Sequence, residues 1–340
     1  MLQAVILCDT HIGGYKFLEN YVDDTDKYIY KAIQSVADYA KNNGIKHMFI
    51  LGDIFDNPNP TQAMQRRLLK FLKSLNLKVY MISGNHDYSS DGKHSLVMSE
   101  FFAEESSKNI YIYTEPKLIK VEGIPFSMLP WPYSKSLTKG PCINCAHITI
   151  KGSKSDTGKT MSKGESIKLR DNQFWMIGDL HTRQKYYPGT LIQKSFGEDT
   201  VKGFSHLSVQ LKEGKFLVNE DWIVRKTEYE LINLRIDNVG DLDKIEAFDK
   251  NNLKLYTLKV SQDVVLPPNV RQKYPNVHNI KFNGIEKVVD KSGVAIDISG
   301  IADPLKGIRR FMKKEGLSPE EIKLGYKYVT EKLKRMENAQ

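Results

Sequence analysis

Short apolar runs recur along the chain, and four of them end the same way: a small or turn-forming residue, then Asp, Asn or His. Ala4-Val5-Ile6-Leu7 leads into Asp9-Thr10-His11, and His47-Met48-Phe49-Ile50 into Gly52-Asp53-Ile54-Phe55-Asp56. Val79-Tyr80-Met81-Ile82 leads into Gly84-Asn85-His86-Asp87, and Phe174-Trp175-Met176-Ile177 into Gly178-Asp179-Leu180-His181. Runs of this length read as buried strands, and α/β sheets place their chemistry just past the carboxyl ends of such strands. Between the first three, apolar positions recur at helical spacing. Ile29, Ala32, Ile33, Val36, Ala37 and Ala40 predict a helix over 24–42, stopped by Asn43-Gly44. Met64, Leu68, Leu72 and Leu75 predict a second over 61–75. This β-α-β-α-β order predicts a parallel sheet with right-handed crossovers.

The pattern then changes. A helix is predicted over 94–106, followed by short strands over 110–114, 118–121, 125–129 and 143–150 that suggest a second sheet stacked on the first. Residues 151–172, rich in Gly, Ser and Lys, read as a mobile basic loop, and further strands are predicted within 186–224, including 206–211 and 216–218. Runs at 229–236 and 255–260 flank Pro267-Pro268 and suggest a small α+β domain. The last stretch reads as two helices. Leu305, Ile308, Phe311 and Met312 share a face ahead of Gly316, and Ser318-Pro319-Glu320-Glu321 is a capping box with Pro at the first helical position. Ile322, Tyr326, Val329, Leu333 and Met336 then recur at the 4-3 spacing of a packing seam. The boundaries expected are 1–225, 226–298 and 299–340.

At 340 residues and 40% hydrophobic, the chain suffices for one large domain with smaller appendages. Its formal charge of +9 suits a polyanionic partner such as nucleic acid. Three cysteines, Cys8, Cys142 and Cys145, are too few for a disulfide framework and point to a reducing compartment. Cys142 and Cys145 form a C-x-x-C without the second pair a zinc site needs, so packing at a strand edge is expected. The first apolar run passes straight into Asp9, and no run approaches membrane-spanning length. These features predict a cytoplasmic protein, in the host cytoplasm if viral, with no membrane partner.

Four strand ends carrying Asp, Asn and His can converge on one rim and hold metal. Phosphodiester hydrolysis requires charge neutralised on the phosphate and a nucleophile generated near neutral pH, and two divalent ions about 3.5–4 Å apart supply both. One ligand must bridge ions that close, and the two oxygens of the Asp53 carboxylate make it the natural bridge. A mixed nitrogen and oxygen set suits manganese, iron or zinc better than calcium.

Asp9-x-His11, Gly52-Asp53-x-x-Asp56, Gly84-Asn85-His86-Asp87, a later His147 and Gly178-Asp179-x-His181 resemble, in order and spacing, the five motifs of calcineurin-like metallophosphoesterases. Pro188-Gly189-Thr190-Leu191-Ile192-Gln193, Phe196-Gly197-Glu198 and Lys202-Gly203-Phe204 look like the SbcD-type double-strand-break repair nucleases and their bacteriophage recombination relatives. The resemblance covers residues 1–225. It implies an α/β fold, a four-layered α/β/β/α sandwich with a small α+β capping domain and a C-terminal helical segment. It also implies that Asp9, His11, Asp53 and His181 hold one metal and Asp53, Asn85, His147 and Asp179 the other. His86 is the implied catalytic residue, protonating the leaving oxygen or steadying the scissile phosphate. Asp179 stands where the family motif carries histidine, which favours a harder ion and makes manganese the expected metal, with magnesium, iron or zinc as alternatives. Asp56 stands where some members carry a histidine that helps orient DNA.

The implied activity is exonuclease and single-strand endonuclease cleavage of DNA in recombination and repair. The implied partners are DNA, an SbcC-like coiled-coil ATPase docked on the C-terminal helices, and a second copy in a homodimer. A stand-alone phosphatase or cyclic-nucleotide phosphodiesterase is the alternative, against which the positive charge and the segment beyond 225 speak. Asp87 is expected to support the loop beside it. Ser153-Lys154-Ser155-Asp156-Thr157-Gly158-Lys159-Thr160 is one glycine short of a phosphate-binding loop, Gly152 sitting one residue too early, and reads instead as a polar loop near the metal rim. Lys306, Arg309, Arg310, Lys313 and Lys314 read as a solvated helix face or as a contact for DNA or an acidic partner.

Overall fold

The computed structural model describes residues 1–282 except 90, 91, 93, 97, 98, 101, 102, 104–107, 168, 169, 171, 214, 262 and 263, and beyond them 288, 289, 295, 296, 312, 316, 318–324 and 327. Two sheets dominate the first compact unit, residues 1–231 with 249–254. In the larger, β1 (Leu2–Leu7), β2 (His47–Leu51), β3 (Lys78–Ile82) and β4 (Ile110–Tyr113) run parallel. The smaller consists of β5 (Lys117–Val121), β6 (Ile124–Leu129), β7 (Cys142–His147) and β8 (Gln173–Gly178). There β5 and β6 pair antiparallel, while β6, β7 and β8 run parallel. Two eleven-residue strands, β9 (Lys202–Lys212) and β10 (Lys215–Arg225), extend the larger sheet antiparallel, in the order β10-β9-β1-β2-β3-β4.

Strand alternation explains the layering. Leu2, Ala4, Ile6 and Cys8 point into one core with Phe49, Leu51, Phe126, Met128, Ile143, Cys145 and Met176. The Phe49 ring stacks between Tyr80 at 4.7 Å and Phe126 at 4.8 Å, joining the sheets through an aromatic ladder. The alternate residues, Val5, Leu7, Met48, Ile50, Val79 and Met81, are equally buried on the opposite face. Helix α1 (Lys27–Asn42) brings Ile29, Ala32, Ile33, Val36, Ala37 and Ala40 there, and α2 (Gln62–Ser74) brings Leu68 and Leu72. Thr61 caps α2 by accepting the Met64 N–H at 3.2 Å, and Tyr30 meets Phe71 edge-on at 4.9 Å to tie the helices together. On the outer face of the smaller sheet, Leu129, Ala146, Ile148, Trp175 and Ile177 are covered by Leu180, Tyr187, Ile150, Ile167 and Tyr186.

The fold is the α/β metallophosphoesterase arrangement expected, with local differences. Residues 110–113 join the larger sheet beside β3 rather than the stacked one. Strand β7 ends at His147 instead of running to 150. Residues 151–165 form a hydrogen-bonded hairpin, with Lys154 bridged to Thr160 and the Ser155 N–H donating to Lys159 O at 2.8 Å. All three cysteines are buried free thiols, with Cys142 and Cys145 packed within β7. The predicted helix over 94–106 falls largely outside the described residues.

The second compact unit comprises residues 232–248 and 255–340. Its core gathers Ile236, Leu242, Ile245, Tyr256, Leu258, Val260, Val270 and Val277. Strand β12 (Leu253–Val260) pairs parallel with β13 (Val277–Phe282) in a three-stranded sheet completed by β11 (Tyr229–Ile236). The Ser318 capping box forms: Ser318 N–H donates to Glu321 Oε2 at 2.8 Å, and Glu321 N–H to Ser318 Oγ at 3.3 Å. Leu305, Ile308, Phe311, Tyr326, Val329, Leu333, Met336 and the cluster Lys306, Arg309, Arg310, Lys313 and Lys314 lie outside the described residues. Among the described residues no helix is long and apolar enough to cross a membrane.

Candidate metal centre

The structure brings all eight predicted site residues to one rim. Asp9 and His11 follow β1, Asp53 follows β2, Asn85 and His86 follow β3, His147 ends β7, and Asp179 and His181 follow β8. Reaching inward from these turns requires unusual backbone: Asp9 (φ 53°), His11 (φ 43°), Asp53 (φ 48°) and Asp179 (φ 105°) all adopt positive φ. That conformation costs energy for residues with a Cβ and is found where surrounding structure enforces it. The turns also close tightly. A Cβ at Gly52 would overlap the His147 ring and one at Gly84 the Asp53 carboxylate, so these motif glycines are steric requirements.

Asp53 divides its two oxygens between two groups. Oδ2 lies 3.6 Å from His11 Nε2, which is 3.2 Å from His181 Nε2. Oδ1 lies 3.3 Å from His147 Nε2, itself 2.9 Å from Asn85 Oδ1 and 3.9 Å from Asp179 Oδ1. Asp9 accepts the Asp179 N–H at 3.1 Å, and its donor atoms lie within 4.8 Å of those of His11 and His181.

The outer nitrogen of each ring is held by the protein. His147 Nδ1 donates to Leu51 O at 2.8 Å, so Nε2 faces the cluster. His181 Nδ1 donates to Glu198 Oε1 at 3.0 Å and lies 3.2 Å from Asp156 Oδ2. His86 Nδ1 donates to Asp56 O at 2.8 Å, turning Nε2 of this exposed ring outward, and its N–H donates to Asp53 Oδ1 at 2.9 Å. Fixing one nitrogen of a ring selects which nitrogen can ligate. Asp87, fully buried, accepts the N–H groups of Gly84, Ile54 and Phe55 and the Ser95 hydroxyl. It thereby ties the turns after β2 and β3, the supporting role expected of it.

Charge balance inside the cluster depends on imidazoles. Burial pushes the Asp9 carboxyl up to about 6 although His147 and His181 oppose it. Burial also works against ionised Asp53, but His147, His11 and His86 outweigh it and hold that carboxyl well below its ordinary range. Burial opposes a charged His147 and the carboxylates of Asp53, Asp9 and Asp179 overcome it, raising the ring well above its usual value. His181 behaves alike: burial is outweighed by Asp156 and Glu198, and the ring rises to about 10. His11, where burial dominates, falls to about 4. Carboxylates that are 1% (Asp9) and 3% (Asp53) exposed, facing ring nitrogens and an amide oxygen, form a donor set that fits two divalent transition ions.

Four further residues act here that the sequence did not single out for a role. Glu198 orients His181 and is itself held by Lys202, whose buried Nζ donates to Glu198 Oε2 at 2.7 Å and to Thr190 Oγ1 at 2.9 Å. Both lie in the Phe196-Gly197-Glu198 and Lys202-Gly203-Phe204 segments, so the signal was present without its meaning. Lys194 Nζ reaches Asp56 and lies 3.0 Å from His11 Nδ1. Asp156, from the loop one glycine short of a phosphate-binding loop, accepts the His181 backbone N–H at 3.0 Å.

Fold and donor cluster together have the arrangement of a metallophosphoesterase domain. Residues 3–167 match the family described as calcineurin-like phosphoesterase, a hydrolase family that binds divalent metals, and this part of the chain has the features of a calcineurin-like metallophosphoesterase domain. Two archaeal proteins named DNA double-strand break repair protein Mre11 are similar to it. That of Sulfolobus acidocaldarius is 24% identical over 270 residues, spanning 72% of this chain and 68% of that protein. That of Saccharolobus solfataricus is 30% identical over 131 residues, spanning 37% of this chain and 33% of that protein.

Proposed function

We propose that the chain is a two-metal DNA nuclease subunit that hydrolyses phosphodiester bonds at DNA ends, as exonuclease and single-strand endonuclease, in recombination and repair. The division of the Asp53 oxygens between two donor groups carries this reading, because it offers one carboxylate oxygen to each of two sites. Asp9, His11, Asp53 and His181 would hold one ion, and Asp53, Asn85, His147 and Asp179 the other. When bound, the pair neutralises phosphate charge and activates water. The oxygen contributed by Asp179 favours manganese.

The protein's own groups do the rest. His86, with Nδ1 anchored on Asp56 O, presents Nε2 at the open face to protonate the leaving oxygen. Lys194, paired with Asp56 at the same rim, places a fixed cation where the phosphate arrives. The names of the archaeal relatives and the +9 charge support DNA as substrate. Residues 1–225 act as nuclease domain, 226–298 cap the DNA, and the helical segment 299–340 docks on an SbcC-like ATPase, with the chain working as a homodimer.

The test is a manganese-supported nuclease assay on blunt duplex and single-stranded DNA, with and without such an ATPase. Metal-dependent cleavage that the ATPase stimulates is expected. Hydrolysis of a small diester with DNA left intact in the partner's presence would sink the reading in favour of a stand-alone phosphatase or phosphodiesterase.

A further inference from the structure

Six strands deliver their carboxyl ends to the catalytic rim or its margin, and one carries aromatic rings instead of ligands. Past β6 the chain reads Pro130-Trp131-Pro132-Tyr133, and the Trp131 N–H donates to Ser83 O at 3.0 Å, two residues ahead of Asn85. The Trp131 ring lies 5.3 Å from that of Tyr88, two residues beyond His86, at 59°. Two of the three rings have their polar ends tied to the turn after β4. Tyr88 OH donates to Thr114 O at 3.2 Å and Tyr133 OH to Glu115 Oε2 at 3.2 Å. Trp131 and Tyr133 are nevertheless 36% and 41% exposed. Large aromatic surface is thus held rigidly in the open, beside the turn that carries His86.

We propose that Tyr88, Trp131 and Tyr133 form a shelf that stacks an unpaired base next to the scissile phosphate, which makes single-stranded or frayed DNA the preferred substrate. This rests on the nuclease reading above and names its substrate. A phosphodiester seated at His86 carries a base on its adjoining sugar, and the shelf, which includes Tyr88 two residues beyond His86, offers aromatic surface for it. Inside a duplex both faces of each base are covered by neighbours about 3.4 Å away, so only an unpaired base offers a free face. Stacking on aromatic side chains is tolerant of sequence, as a nuclease acting on arbitrary ends requires.

Indole fluorescence tests this directly. Trp175 is buried and Trp222 donates its Nε1–H to Pro188 O, so Trp131 is the tryptophan placed to report contact. In the full chain with chelator present, a short oligothymidylate should quench emission saturably, and a blunt duplex of equal length should do so far less. Trp131→Phe should remove the quenching while retaining affinity, and Trp131→Ala should weaken single-strand binding about tenfold to a hundredfold. Absence of quenching in the wild-type chain, equal affinity of Trp131→Ala and wild type, or equal quenching by duplex each overturns the shelf. The two failures are separable. If manganese-loaded wild type cuts a small diester and no DNA, the nuclease reading falls. If it cuts DNA while Trp131→Ala binds single strands as tightly as wild type, only the shelf falls.

Discussion

Glu198 accepts the Nδ1–H of His181 at 3.0 Å and so decides which nitrogen of that ring faces Asp9 and His11. Its other oxygen is held by Lys202 at 2.7 Å, and the three residues form a buried relay behind the cluster. Glu198→Gln keeps an acceptor but removes the charge. Manganese binding, followed by calorimetry, should weaken about tenfold to a hundredfold at one of two sites. Unchanged affinity at both would separate Glu198 from the metal centre.

His86 is exposed and anchored through Nδ1, and although it lies within ligand distance of His11 and Asp53, the ligand sets assigned above leave it out. His86→Ala should retain both ions by elemental analysis while cleavage falls about a hundredfold to ten-thousandfold, the usual worth of a positioned proton donor. Turnover at the wild-type rate would remove the assigned role.

Asp179 accepts the Thr149 hydroxyl and faces His147 at 3.9 Å. Asp179→His should keep both ions with equal or greater activity, and should shift competition between zinc and manganese toward zinc, because imidazole is the softer ligand. Loss of an ion from this variant would show that the site is not the one described, with a position there that accepts either aspartate or histidine as ligand.

Ion uptake should depend on pH with a definite sign. His181, raised to about 10, is protonated at pH 7, and a ring must lose its second proton to ligate. Binding therefore releases protons at neutral pH and tightens as pH rises toward 10. Manganese titrations in buffers of different ionisation enthalpy will show this as a buffer-dependent heat, and a heat independent of buffer contradicts it.

The aromatic ladder should dominate stability between the sheets. Phe49→Ala removes a fully buried ring held between Tyr80 and Phe126 and should cost about 3–5 kcal/mol in urea unfolding. A loss below about 1 kcal/mol would mean that the two sheets close over the gap.

Much of this was legible because strand ends announce themselves. An apolar run stopping at Gly-Asp or Gly-Asn-His carries both its burial and its chemistry in adjacent residues, so Asp53, Asn85 and His86 could be read together. The partners behind the ligands could not. Asp156 and Glu198 meet at His181 only after the chain from 148 to 198 has folded, and no periodicity records that meeting. Placement of 110–113 was missed for a related reason. A four-residue strand bears no mark of which sheet it joins, and its neighbour β3 is fixed by the crossover that precedes it. Tail residues such as Glu198 were visible as a pattern, but their function is a hydrogen bond that only coordinates reveal.

The cluster draws on both halves of the sandwich. Asp9, Asp53 and Asn85 hang from the larger sheet, and His147 and Asp179 from the smaller. Cations bound there would act as rivets across the seam, their binding free energy adding to whatever holds the two leaves closed. Without them, the carboxylates of Asp9, Asp53 and Asp179 would face one another across the seam with imidazoles and a few N–H and hydroxyl donors as their partners, so removing metal would loosen the architecture as well as the chemistry.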